Sequence, residues 1–234
     1  MKSAIPNGLT LANLACGLLA ITALFSGSFI MAAWLVGAAL VLDFLDGFTA
    51  RLLGVHSELG KQLDSLADLV TFGVTPGFLM FKLFRIAMQG GEPIPEFLPY
   101  IALLIPIFSA LRLAKFNIDT RQAEYFIGLP TPANAIFIFS VALIALYGSS
   151  STMEAILLHP FFLTITTVST SFLLVAELPL MSLKVKNTSL SDNRGRIVLL
   201  VLIALLLLVF RFRALLYIIP LYLVLSLIFK PHRK

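Results

Sequence analysis

The chain has 234 residues, 59% of them hydrophobic and 12% charged, with a formal net charge of +5 and a mean hydropathy of +0.99. That balance excludes a soluble globular domain and assigns the chain to a bilayer. The single cysteine, Cys16, excludes an internal disulfide. The basic surplus sits in short joints between apolar runs, where retention at the cytoplasmic face accounts for it without a nucleic-acid partner.

The first apolar run follows a single lysine, as in a signal peptide. Asn7 and Asn13 interrupt it and no Ala-x-Ala-like exit follows, so it is expected to stay as a span. A transmembrane helix takes roughly 20 apolar residues. Runs bounded by Gly, Pro and charge predict spans at 8–26, 29–53, 58–87, 96–116, 131–148, 154–181, 195–210 and 212–229, with Arg211-Phe212-Arg213 as a turn between the last two. The expected fold is all-α: one polytopic membrane bundle of about eight helices over 1–234, with a catalytic core at about 1–181 and two further spans in 195–229.

With the amino terminus inside, cytoplasmic segments hold Lys2, Arg51, Lys61, Arg112, Lys115, Arg121, Lys184, Lys186, Arg194, Arg196, Lys230, Arg233 and Lys234. Only Lys82, Arg85, Arg211 and Arg213 fall opposite. This bias predicts that both termini are cytoplasmic.

The chain has only twelve acidic residues, yet four aspartates lie between positions 43 and 68. Asp43 and Asp46 close the second span, while Asp64 and Asp68 open the third. Spacings of three and four put each pair on one helix face. The joint near Leu53–Leu59 is short, so the two helices are antiparallel neighbours and all four carboxylates converge on the cytoplasmic side. Four anions gathered in or near a bilayer require counter-cations or protonation. Carboxylates without a Cys or His cluster select Mg²⁺ or Mn²⁺, and four of them suit two ions about 3.5–4 Å apart, an arrangement that clamps phosphate oxygens. Gly47 and Ala50 leave space on the same face, Arg51 offers a planar cation, Ser57 a hydroxyl, and Gly60 keeps the approach to the second pair open. Capping is the competing account of an isolated aspartate, but Asp43 and Asp46 lie within a helix rather than at its cap. Gly73 and Gly77, four apart, read as helix packing.

Asp43-Phe44-Leu45-Asp46-Gly47-Phe48-Thr49-Ala50-Arg51, followed by Gly60, Asp64 and Asp68, resembles the D-x2-D-G-x2-A-R-x8-G-x3-D-x3-D signature of the CDP-alcohol phosphatidyltransferases at every fixed position. The resemblance implies that Asp43, Asp46, Asp64 and Asp68 ligate metal and that Asp68 is also the general base. It further implies that Asn7, Thr10, Asp43, Gly47, Ala50, Arg51, Ser57 and Gly60 contact CDP-diacylglycerol. A homodimer in the cytoplasmic membrane of a prokaryote, with its active site facing the cytoplasm, is implied as well.

The blocks Ile5-Pro6-Asn7-Gly8-Leu9-Thr10-Leu11-Ala12-Asn13-Leu14, Arg112-Leu113-Ala114-Lys115-Phe116-Asn117 and Gly128-Leu129-Pro130-Thr131-Pro132-Ala133-Asn134 look like the serine-using branch of that family, in which L-serine is the acceptor and CMP the leaving product. Arg112, Lys115 and Asn117 end the fourth span level with the aspartates and offer two cations and an amide to a carboxylate-bearing acceptor. Thr131 and Asn134 are secondary candidates, since a Pro-rich helix entry also accounts for their block. Two other readings use the same residues. Glycerol 3-phosphate or an inositol phosphate could be the acceptor, because the signature describes only nucleotide and metals. A cation transporter also carries intramembrane carboxylates, but no second acidic layer crosses this chain.

Overall fold

In a computed structural model, residues 3–55, 57–90, 94–119, 126–181 and 193–229 are described. Their architecture is a bundle of α-helices. The first two are α1 (Ala4–Phe25) and α2 (Phe29–Leu52). Next, α3 (Glu58–Asp68) runs through a π-helical stretch, Leu69–Val74, into α4 (Thr75–Gln89). A 3₁₀ turn, Leu98–Leu103, leads into α5 (Leu104–Ile118), and α6 (Thr131–Tyr147) follows. The remaining helices are α7 (Ser151–Leu157), α8 (Pro160–Val175), α9 (Arg194–Phe210) and α10 (Ala214–Ile228). Two short strands, β1 (Phe126–Ile127) and β2 (Pro179–Leu180), pair antiparallel and tie the entry of α6 to the exit of α8.

Four helical stretches are long and apolar enough to cross a membrane: Ala4–Phe25, Phe29–Leu52, Glu58–Gln89 and Leu98–Ile118. The pair α7 and α8, bent by 55°, makes a fifth if it counts as one span, while Thr131–Tyr147 and Ala214–Ile228 are apolar but shorter. The segment read as one span at 154–181 therefore divides. Pro160 disfavours helix at the residue before it, and His159 caps α8 by accepting the Phe161 amide at 3.2 Å. Arg211, at φ 51°, begins the turn between α9 and α10. Lys2, Glu92, Arg121, Lys184, Lys186, Lys230, Arg233 and Lys234, and most of the 182–196 joint, lie outside the described residues.

Large apolar side chains face outward along the rods, Trp34 at 75% exposure among them, as a lipid-facing surface requires. α4 is the central rod: Leu79, Met80, Leu83 and Phe84 are fully buried, against Ile105 of α5, Ile138 and Ile144 of α6 and Leu163 of α8. Burial against hydrocarbon chains gives little hydrophobic gain, so close approach and interhelical hydrogen bonds hold such helices together. Both are present where α1 crosses the π-helical stretch. A Cβ on Gly17 would lie 2.3 Å from Thr71 Oγ1, so only glycine fits. Thr71 Oγ1 donates to the Asn13 carbonyl at 3.2 Å and Thr75 Oγ1 to that of Gly17 at 3.4 Å. On the other side of the same rod, a Cβ on Gly73 would meet Ser109 and one on Gly77 would lie 2.6 Å from Pro106 Cδ. These two glycines admit α5. The last two helices form a smaller cluster through Leu199, Leu225 and Met181.

Candidate active site

Local chain chemistry brings the two aspartate pairs together. α2 ends in a glycine-terminated cap: Gly54 takes φ 63°, its amide donates to the Arg51 carbonyl at 3.2 Å, and the Val55 amide donates to that of Ala50 at 3.0 Å. Three residues later, Ser57 caps α3 by accepting the Gly60 amide at 3.0 Å. The reversal therefore needs few residues, and the carboxylates of α2 face those of α3.

Asp43, Asp64 and Asp68 each offer a carboxylate oxygen, and all three oxygens lie within 4.8 Å of one another. Two unit charges that close repel by at least roughly 3 kcal/mol at an effective dielectric of about 20, so three ionised carboxylates need positive charge between them. Asp64 Oδ1 is buried and has no hydrogen-bond partner among the described residues, which leaves it free to ligate. The donor set of half-buried carboxylate oxygens suits a hard divalent cation. Asp46 lies outside that group of three. It is only 6% exposed and accepts the Thr10 hydroxyl at 2.6 Å, which fixes its carboxylate against α1.

A cleft of about 440 Å³ opens beside Asp46 and Asp64 between α1, α2 and α3. Six of the residues predicted to meet the nucleotide line it: Asn7, Thr10, Gly47, Ala50, Ser57 and Gly60. A Cβ on Gly60 would lie 2.9 Å from Ser57 Oγ and 3.2 Å from Asn7 Oδ1, so a larger residue there would crowd the wall. Arg51 is exposed, with its guanidinium beside Gly47, while Asp43 belongs to the carboxylate cluster rather than to the cleft lining.

Residues 3–169 match the sequence profile of the CDP-alcohol phosphatidyltransferases. The chain belongs to that family. Among its relatives, a CDP-diacylglycerol–serine O-phosphatidyltransferase of Bacillus subtilis is 34% identical over 178 residues, covering 74% of this chain and 88% of the relative. A Helicobacter pylori protein of the same name is 39% identical over 140 residues, covering 57% of this chain, and the match spans only 54% of that relative's length. One from Methanocaldococcus jannaschii is 35% identical over 134 residues, 57% of this chain and 58% of its own.

The three residues read as acceptor contacts have different surroundings. Arg112 is buried, at 7% exposure, with Nη1 placed 3.5 Å from Thr131 Oγ1 and Nε unpartnered among the described residues. Lys115 is exposed and lines a separate hollow with Arg112 and Glu177. Asn117 is engaged structurally: its side-chain amide donates to Ser65 Oγ at 2.8 Å, and its carbonyl accepts from Lys61 Nζ at 2.7 Å, which joins α5 to α3. Asn134 is fully buried with neither amide atom partnered among the described residues.

Asn13 belongs to the first of the family-like blocks, but the sequence reading gave it no role at the site. It is fully buried on α1, and its Nδ2 donates to Asp68 Oδ1 at 3.4 Å. The available signal was an amide in an apolar helix, four residues before a glycine, a spacing that puts both on the face turned to a neighbour. The π-helical stretch directly after Asp68 was missed as well. Such stretches are frequent at functional sites, and this one follows the last carboxylate of the cluster.

Proposed function

We propose that the protein is a phosphatidylserine synthase, transferring the phosphatidyl group of CDP-diacylglycerol to L-serine and releasing CMP. The observation that carries this reading is the pairing of a carboxylate cluster with a buried guanidinium. Asp43, Asp64 and Asp68 form the cluster, and Arg112, with an unpartnered Nε, stands on α5 against the same rod. A buried cation with a free donor suits an acceptor that brings a carboxylate. The names of the relatives point to the same acceptor.

In this reading Asp43, Asp46, Asp64 and Asp68 hold two divalent ions, Mg²⁺ or Mn²⁺. When bound, those ions screen the diphosphate and stabilise the charge that develops on CMP. The cleft between α1, α2 and α3 receives the cytidine nucleotide, with Gly47, Ala50 and Gly60 permitting close approach and Arg51 at its mouth. Arg112 holds the serine carboxylate and so orients the hydroxyl. Asp68, positioned by Asn13, accepts the hydroxyl proton as the serine oxygen bonds to the lipid-bearing phosphorus. The phosphorus–oxygen bond to CMP breaks, and its electron pair leaves with CMP.

The wider frame belongs to the same proposal. Eight spans, counting α3 with α4 as one and α7 with α8 as one, cross a prokaryotic cytoplasmic membrane, with both termini and the carboxylates on the cytoplasmic side, as a homodimer. The catalytic unit occupies about 1–181 of a single domain, and α9 and α10 are additions to it.

Membranes containing the protein, incubated with CDP-diacylglycerol, Mg²⁺ or Mn²⁺ and one alcohol at a time, test the reading. CMP release is expected with L-serine and not with glycerol 3-phosphate or inositol 1-phosphate. Release with either phosphate alcohol in place of serine would overturn the acceptor assignment.

A further inference from the structure

At the other end of the bundle, α1, the start of α2 and the outer half of α4 enclose a second cleft of about 420 Å³. Thr10, which touches Asp46, and Leu24, which lines this cleft, are separated by roughly 20 Å along α1 at 1.5 Å per residue, so the cleft is remote from the carboxylates. Its walls are the rings of Phe25, Phe29, Phe78 and Phe81, and its rim carries Lys82 and Arg85. Phe25 packs on Phe78 with ring centroids 5.8 Å apart, and Lys82 Nζ lies 5.8 Å from the Phe25 centroid. Arg85 is exposed, and its nearest side-chain partner is Met88 Sδ at 4.0 Å. Among the described residues neither cation has a carboxylate partner.

We propose that this cleft binds an anionic phospholipid of the leaflet opposite the active site, with an acyl chain along the phenylalanine wall and the phosphate between Lys82 and Arg85. The bland account is that both cations merely flank a span and reach for water. Two features argue against it. Basic residues are depleted on a translocated face, and in the orientation proposed above only Lys82, Arg85, Arg211 and Arg213 lie there, yet two of the four converge on one aromatic-walled cleft. They are three positions apart on α4 and so share a face, one turn between them, which is the spacing at which two cations can hold one phosphate. A bare hydrocarbon occupant would leave both cations unmatched. A phosphate ester with an attached chain supplies the anion and the apolar body in one molecule. The inference does not depend on which alcohol the active site uses.

The test uses the purified full chain in detergent with phosphatidylglycerol or phosphatidylcholine carrying a photoactivatable acyl chain, and crosslinks are mapped by peptide mass spectrometry. Phosphatidylglycerol is expected to label residues 78–89 at least fivefold more than phosphatidylcholine. Lys82→Gln/Arg85→Gln is expected to abolish that preference, while Lys82→Arg/Arg85→Lys keeps it. CMP release should be unchanged in both variants, which reports an intact fold and an unaffected active site. The single change Arg85→Gln, at an exposed position, gives the same comparison without touching the packed wall. Equal labelling by the two lipids, or an undiminished preference in the Gln variants, would overturn the proposal.

Discussion

Asn13 and Asp68 meet across 3.4 Å, the amide of one donating to the carboxylate of the other from a position without solvent exposure. A neutral donor there orients the carboxylate without adding charge to a crowded anionic site. Asn13→Ala is expected to lower CMP release or raise the metal concentration for half-activation by about 10–100-fold, the usual cost of losing a partner that orients a metal ligand. A titration of activity against Mn²⁺ measures both effects, and a wild-type curve would show that Asn13 has no such role.

Asp68→Asn preserves shape and burial and removes the proposed proton acceptor. A positioned base contributes about 10²–10⁴-fold, so CMP release should fall at least a hundredfold while the variant still inserts and still binds CDP-diacylglycerol. Turnover near the wild-type rate would assign the proton elsewhere.

Removing divalent ions leaves Asp43, Asp64 and Asp68 with oxygens inside 4.8 Å of one another and no counter-charge between them. Chelated protein is expected to make no CMP, to regain activity with Mg²⁺ or Mn²⁺, and to melt at lower temperature than the loaded form. A ligand at one hundred times its Kd stabilises by about 2.7 kcal/mol, enough for a clear shift. Activity persisting in chelated protein would contradict the metal assignment.

Gly54 turns α2 back towards α3 at φ 63°, a conformation costing other residues about 1–2 kcal/mol. Gly54→Ala should therefore lower stability by that amount and, because the turn sets how the two aspartate pairs face each other, reduce CMP release as well. Thermal unfolding in detergent checks the first part and CMP release the second. An unchanged melting temperature would mean the turn relaxes to another geometry.

The meeting of Asp43, Asp64 and Asp68 across the short joint was legible because it depends on local spacing: pairs three and four positions apart on a helix, and a reversal too brief for anything but antiparallel neighbours. The expected convergence of all four carboxylates was not met, since Thr10 of α1 holds Asp46 outside the group of three. Asn13, Gly17 and Thr71 were not legible, because their meaning lies in α1 crossing the π-helical stretch, a contact between residues far apart in sequence. The division of 154–181 could have been read from Pro160, whose ring sets a boundary that an apolar tally ignores. Gly73 and Gly77 were read as packing, yet only the structure shows that they admit Ser109 and Pro106 of α5, the helix that carries Arg112 one turn past Ser109.

Arg112, Lys115 and Asn117 were read from sequence as one group of acceptor contacts, and their surroundings predict different responses to substitution. Arg112 is buried with an unpartnered Nε, so Arg112→Gln removes a charge-assisted contact worth about 1.5–3 kcal/mol and should raise the KM for L-serine by roughly 10–100-fold, with the KM for CDP-diacylglycerol little changed. Arg112→Lys keeps the charge but not the planar fork, and should recover only part of the loss. Lys115 is exposed, and Lys115→Gln should change the serine KM less than threefold. Asn117 spends its amide on Ser65, so Asn117→Ala should act on the junction of α3 and α5, lowering the melting temperature and kcat together while the serine KM holds. Steady-state kinetics with both substrates varied separates the three. A serine KM that responds to Asn117→Ala and not to Arg112→Gln would reverse the assignment and move the acceptor site to the last turn of α5.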